Sequence, residues 1–229
     1  MIIGFMIVYF AMVIAFMYAN YFDLVVMRSI LKALCGIAFV LLPFLITKKN
    51  KVRQTKYFKT MISGFVLAAL GDVLLDLDNS KFGILFIVGM LFFALTHVMF
   101  SVSFLKHIKF SKVTFISLLC IFIPTILVLN CFDLINAGPL TLVINVYALI
   151  ISFMVSLAIT LFCKKGLSKS FKLTTLIGVL LFAVSDLILV FALFGNNPTK
   201  ELLLTNNFVY YVAQLVIGLS FYKVKSSYK

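Results

Sequence analysis

The chain is predicted to be an all-α membrane protein, a polytopic bundle of about eight transmembrane helices. Three observations predict it. Of its 229 residues 64% are hydrophobic and only 12% charged, where a soluble domain carries about 25% charged residues. Its mean hydropathy is +1.20. Apolar runs near the roughly 20 residues needed to cross a bilayer recur along its whole length, separated by short polar connections. With no long polar segment, residues 1–229 are expected to form a single transmembrane domain.

The spans fall at about 2–20, 30–47, 58–77, 82–105, 113–130, 140–162, 173–194 and 202–222. The first has no basic stretch before it and no Ala-x-Ala site after it, so it reads as a retained span and not a cleaved signal. The second is entered through Arg28-Ser29-Ile30-Leu31-Lys32. The third carries Asp72, and Asp76 one turn later on the same face; the turn Asp78-Asn79-Ser80-Lys81 after it reads as solvated. The fourth carries His97, while His107 lies among lysines in the next loop and reads as a surface residue. The fifth is apolar. Asn145 and Tyr147 begin the sixth, Asp186 lies within the seventh, and the eighth holds Tyr210-Tyr211-Val212-Ala213-Gln214, where Tyr210 and Gln214 share a face and Tyr211 turns away. Short connections make neighbouring helices antiparallel.

The net charge of +13 has an uneven distribution. Lys48, Lys49, Lys51, Arg53, Lys56 and Lys59 follow the second span. Lys106, Lys109 and Lys112 follow the fourth, Lys164, Lys165, Lys169 and Lys172 the sixth, and Lys223, Lys225 and Lys229 the eighth. The alternate connections hold Asp23, Asp78, Asp133 and Glu201. This is the positive-inside pattern, which makes both termini cytoplasmic and replaces a nucleic-acid reading of the basic charge. Usage rich in Lys, Ile, Phe and Asn points to an AT-rich bacterial source and hence the plasma (inner) membrane. Cys35, Cys120, Cys131 and Cys163 are scattered, with no Cys-x-x-Cys, and read as small apolar packing residues.

Asp72 and Asp186 are the candidates for chemistry. A carboxylate at the centre of a membrane helix costs about 2.5–3.5 kcal/mol, and such residues usually face a bundle interior and mark a site or pathway. Each follows a glycine, Gly64 or Gly178, by eight residues, and they stand 114 apart in a chain of 229. Two four-helix halves of the same polarity, a parallel repeat, would explain that spacing; so would chance among similar apolar helices. Lys32 either pairs with a carboxylate or snorkels to the surface. His97 can hydrogen-bond a carboxylate or relay a proton, or simply pack. Asp76, Asn145, Tyr210 and Gln214 are candidates to line a cavity or to bond between helices. Two histidines do not make a His-rich zinc site, and without Gly-x-Ser-x-Gly a serine lipase is disfavoured. Gly64 and Ala68 form a small-xxx-small pattern for close helix packing.

Lys59-Thr60-Met61-Ile62-Ser63-Gly64 through Gly71-Asp72-Val73-Leu74-Leu75, then Phe82-Gly83, Phe86, Gly89, Phe92 and His97, resemble the YhhN family of membrane proteins. So do Gly178 to Leu189 and Tyr210-Tyr211-Val212-Ala213-Gln214-Leu215-Val216-Ile217. Lys32 falls where that family has a lysine in its second helix, but Ala33 follows it where the family usually has proline. The resemblance implies eight transmembrane helices and, from characterised members, a lysoplasmalogenase. Such an enzyme cleaves the vinyl ether bond of a lysophospholipid substrate drawn from membrane lipid, releasing a fatty aldehyde and a glycerophospho-base. It also implies that Asp72 and Asp186 are the catalytic pair.

That chemistry needs no metal or organic cofactor. Protonating the outer alkenyl carbon gives an oxocarbenium ion, water captures it, and the hemiacetal collapses to aldehyde and alcohol. One carboxyl group serves as acid while another carboxylate stabilises the cation and activates water, as in two-carboxylate glycoside hydrolysis. Lys32, Asp76, His97, Asn145, Tyr210 and Gln214 would bind or orient substrate and water. The competing class is a proton-coupled transporter or lipid-binding protein, because paired intramembrane acids serve carriers too.

Overall fold

A computed structural model describes residues 2–47, 53, 55–78 and 83–224. Lys48, Lys49, Lys51, Asn79, Ser80, Lys81, Phe82, Lys225 and Lys229 lie outside the described residues. The described residues form eight helices: α1 (Ile2–Tyr21), α2 (Val25–Ile46), α3 (Lys56–Leu77), α4 (Ile84–Phe104), α5 (Lys112–Asn130), α6 (Thr141–Cys163), α7 (Lys169–Phe194) and α8 (Lys200–Val224). Each is long and apolar enough to cross a bilayer, and the chain is an integral membrane protein. Outward positions such as Ile7, Ile14, Val26 and Leu142 are exposed yet apolar, because the solvent they meet is hydrocarbon.

Local chemistry sets the helix ends. The Thr55 side chain accepts from the Phe58 amide to start α3. Ser111 and Thr114 form a capping box at the start of α5, which satisfies amides with no partner inside the helix. α2 begins at Val25, earlier than the expected 30, because its polar first turn is matched: Arg28 and Ser29 both bond Asp76 on α3. Asp78 is not merely part of a solvated turn. Its carboxylate accepts from the Phe86 amide at 3.0 Å and ties the end of α3 to the first turn of α4.

The two ends of the bundle are closed differently. Tyr57 at the start of α3 packs on His107 (ring centroids 4.7 Å apart), on Phe171 at the start of α7 and on Phe221 near the end of α8. The loop histidine is therefore half-buried in an aromatic cluster, not a free surface group. Burial, and secondarily Lys164, hold its imidazole below the ordinary histidine pKa. These elements place the lysine-bearing connections together at one end. At the other, Lys200 pairs with Asp23 at 2.7 Å, and the 5–6 and 7–8 connections meet through Ile135 and Gly195.

Helices α3 and α4 pack together intimately, as do α7 and α8; α2 lies against α3 and α6 against α7; α1 pairs with α2 and α5 with α6. Across the bundle α2 touches α8, and α4 touches α6. Advancing every label by four carries each of these contacts onto another, the pattern of two four-helix halves related by a pseudo-two-fold axis along the bundle. α1 additionally touches α8. Glycine permits the tightest approach: a Cβ on Gly71 would lie 3.2 Å from the Gly89 carbonyl oxygen, and one on Gly178 2.9 Å from the backbone nitrogen of Ile217.

Candidate active site

Asp72 and Asp186 come from different halves and line one cavity of ≈ 220 Å³. Both are 4% exposed. Neither sits at mid-helix, as the sequence reading had it. At 1.5 Å per residue, Asp72 lies about 8 Å along the axis from Leu77 and Asp186 about 12 Å from Phe194. The cavity therefore runs from the less basic end of the bundle, where Asn20, Arg28 and Asp78 border it, down to the two acids.

Each acid is held by a polar group from across the bundle. Tyr210 on α8 donates its phenolic hydroxyl to Asp72 Oδ2 at 2.8 Å. His97 on α4, wholly buried, places Nε2 2.9 Å from Asp186 Oδ2. The pseudo-two-fold that exchanges α3 with α7 and α8 with α4 exchanges these two pairs. Nε2 of His97 also lies 3.1 Å from the Tyr147 hydroxyl, and Nδ1 lies 3.4 Å from the Met154 sulfur. Tyr147 and Asp186 also share the wall of a second cavity, so acid, imidazole and phenol lie side by side.

Asp76 and Lys32 also line the cavity. Asp76 is bound to Arg28 Nε at 3.0 Å and to the Ser29 hydroxyl. Lys32 is half-buried, exerts its charge on Asp72, and forms no ion pair within 4 Å among the described residues. Arg28 and Lys32 are one turn apart on α2, so two cations border the mouth of a cavity that contains two buried acids.

Two expected site residues lie elsewhere. Asn145 exchanges two hydrogen bonds with Asn130, at 3.1 and 3.2 Å, in an exposed clasp between α5 and α6. It shares the start of α6 with Tyr147 but projects from a different face. Gln214 is fully buried one turn below Tyr210, does not border this cavity, and its side-chain amide has no hydrogen-bond partner among the described residues. Sequence reasoning missed Arg28, Asn206 and Asn207, all on the cavity wall. The available signal was periodicity: Arg28 precedes Lys32 by four residues, and Asn206 precedes Tyr210 by four. Asn206 donates to the Ser185 carbonyl at 2.7 Å, anchoring α8 beside Asp186.

The second cavity reaches Asp186 from the side. It is an apolar groove of ≈ 320 Å³ between α5, α6 and α7. Tyr147 and Asp186 lie on its wall together with Ile121, Thr125, Ile151 and Ala183.

A family model described as the YhhN family matches residues 27–221. No curated protein and no solved structure matches the chain. The match spans most of the chain, and the protein belongs to the YhhN family.

Proposed function

We propose that this YhhN-family protein is a membrane-embedded hydrolase that cleaves the vinyl ether bond of lysoplasmalogens. The observation that carries the reading is the placement of two buried carboxyl groups, one from each half, on the wall of one cavity bordered by cations. A vinyl ether needs a proton donor at its outer alkenyl carbon and a carboxylate near the adjoining carbon as positive charge develops there. Asp72 and Asp186 take those two jobs. Water adds to the oxocarbenium ion and loses a proton to the carboxylate. The hemiacetal then breaks its carbon–oxygen bond, releasing the fatty aldehyde while the glycerol oxygen takes up a proton. One water is consumed and no redox change occurs.

The neighbours fit subsidiary roles. Tyr210 and His97 hold the two carboxyl groups in fixed rotamers, and His97 with Tyr147 offers a path for protons to and from Asp186. Lys32 and Arg28 provide positive charge for a phosphate. A carrier is the second reading, favoured by the same cluster, since an acid–imidazole–phenol chain in a membrane also serves proton movement. Product identity separates them. Protein reconstituted in liposomes with a lysoplasmalogen is expected to release fatty aldehyde and glycerophospho-base. Transfer of an unchanged solute under a proton gradient, with no aldehyde formed, would replace the hydrolase with a carrier.

A further inference from the structure

The two cavities that meet at Asp186 differ in character although the halves around them share one architecture. On the Asp72 side, the wall formed by α1, α2 and α3 presents Asn20, Arg28, Lys32 and Asp76. On the Asp186 side, the equivalent helices α5, α6 and α7 present Ile121, Ile151, Val155, Ala183 and Leu187. The wall of the first cavity carries charge, and that of the second is almost wholly hydrocarbon. Leu180, Val184 and Leu187 line the groove and remain exposed, so it opens sideways, where lipid lies. Along α6 it extends from Ile144 to Ile159, about 22 Å at 1.5 Å per residue. Its volume is at the lower end of the roughly 300–1,000 Å³ of small-molecule sites.

We propose that this groove is the tail subsite of a single-chain amphiphile: one hydrocarbon chain enters from the bilayer between α5, α6 and α7. Its phosphate rests at Lys32 and Arg28, and the chain-to-head junction lies at Asp186. The inference rests on the functional reading only for the name of the amphiphile. Its own support is that an apolar groove open to lipid and a polar cavity carrying Lys32 and Arg28 share one wall residue, Asp186. The groove, ≈ 320 Å³ in volume, is assigned one chain and not the two of a diacyl phospholipid. The junction places the first carbons of the chain, the site of any vinyl ether, against the carboxylate.

The test uses the full chain in phosphatidylcholine nanodiscs and an uncleavable probe, a 1-O-alkyl lysophosphatidylethanolamine with a diazirine at the chain end, in long- and short-chain forms. After photolysis, labelled peptides are mapped by mass spectrometry. The long-chain probe is expected to label the walls on α5–α7, to be displaced by unlabelled lysolipid and not by diacyl phospholipid. Ala183→Phe, which fills the groove, should cut long-chain labelling at least fivefold and spare the short-chain probe; Ala183→Ser, a control for folding, should label as wild type. Lys32→Met should weaken both probes. Labelling unchanged in Ala183→Phe, or spread equally over the exposed face of α1 at Ile7 and Ile14, would overturn the assignment. Because the probe cannot be cleaved, groove labelling alongside no aldehyde release from a vinyl ether would refute the hydrolase and support the subsite. Turnover without groove labelling would do the reverse.

Discussion

Asp72 relies on one well-aimed donor, the Tyr210 hydroxyl, and that dependence can be measured. A hydrogen bond to a charged group contributes about 1.5–3 kcal/mol, so Tyr210→Phe should lower kcat for aldehyde release roughly 10- to 100-fold. Its neighbour supplies the control. The Tyr211 hydroxyl is buried and has no hydrogen-bond partner among the described residues, so Tyr211→Phe should leave kcat within about a factor of two. Equal losses in both variants would mean the effect comes from packing and not from the Asp72 contact. The acids themselves were legible in the sequence because a carboxylate in an apolar run has few bland explanations. Arg28 was not, because a cation at the start of a span ordinarily reads as an interfacial anchor. Only the position of Asp76 on α3, brought beside it by the fold, turns it into part of the cavity. Asn145 misled for the converse reason: its partner, Asn130, sits at the end of another helix and no local pattern announces the pair.

At the scale of the helices, the site is positioned by two close pairs, α3 with α4 and α7 with α8. A Cβ at Gly178 would lie 2.6 Å from Cγ1 of Ile217 and 2.9 Å from its backbone nitrogen. Neither helix can yield without moving Asp186 or Tyr210. Gly178→Val is therefore expected to cost about 1–3 kcal/mol of overpacking, seen as a lower thermal midpoint in detergent. Gly4→Ala, where nothing lies within 4 Å, should leave that midpoint unchanged or slightly higher. Similar midpoints for both variants would contradict the role assigned to the α7–α8 contact. The spans were readable from their length and apolarity, and the Gly64–Ala68 pattern marked a close approach: the Thr96 hydroxyl reaches the Gly64 carbonyl at 3.2 Å. The early start of α2 was hidden because polar residues in its first turn look like loop until their partners on α3 are known. His107 was misplaced for a related reason, since its cage is assembled from α3, the 4–5 loop and α7.

Across the whole molecule, the helix contacts of the two halves follow one pattern and a charge gradient separates the ends. The gradient gives a topological prediction, which we propose on the positive-inside rule: the lysine-bearing end faces the cytoplasm. Two native thiols report it. Cys131 at the end of α5 and Cys163 at the end of α6 are exposed at opposite ends of the bundle. A membrane-impermeant maleimide should label Cys131 and spare Cys163 in intact cells, with the reverse in inverted membranes. Labelling of Cys163 from outside would invert the assignment. The matching contact pattern of the two halves was foreshadowed in the sequence only by a spacing of 114 residues between two acids. The exchange of Tyr210 with His97 as their partners could not be seen there, since the residue types differ. The two halves converge on the pair of buried carboxyl groups, and the most direct measurement acts there. Fatty aldehyde release from a lysoplasmalogen is followed in proteoliposomes holding wild type, Asp72→Asn or Asp186→Asn at equal folded amounts. Each substitution is expected to reduce the rate by roughly 10²-fold or more; full activity in both variants would contradict the account.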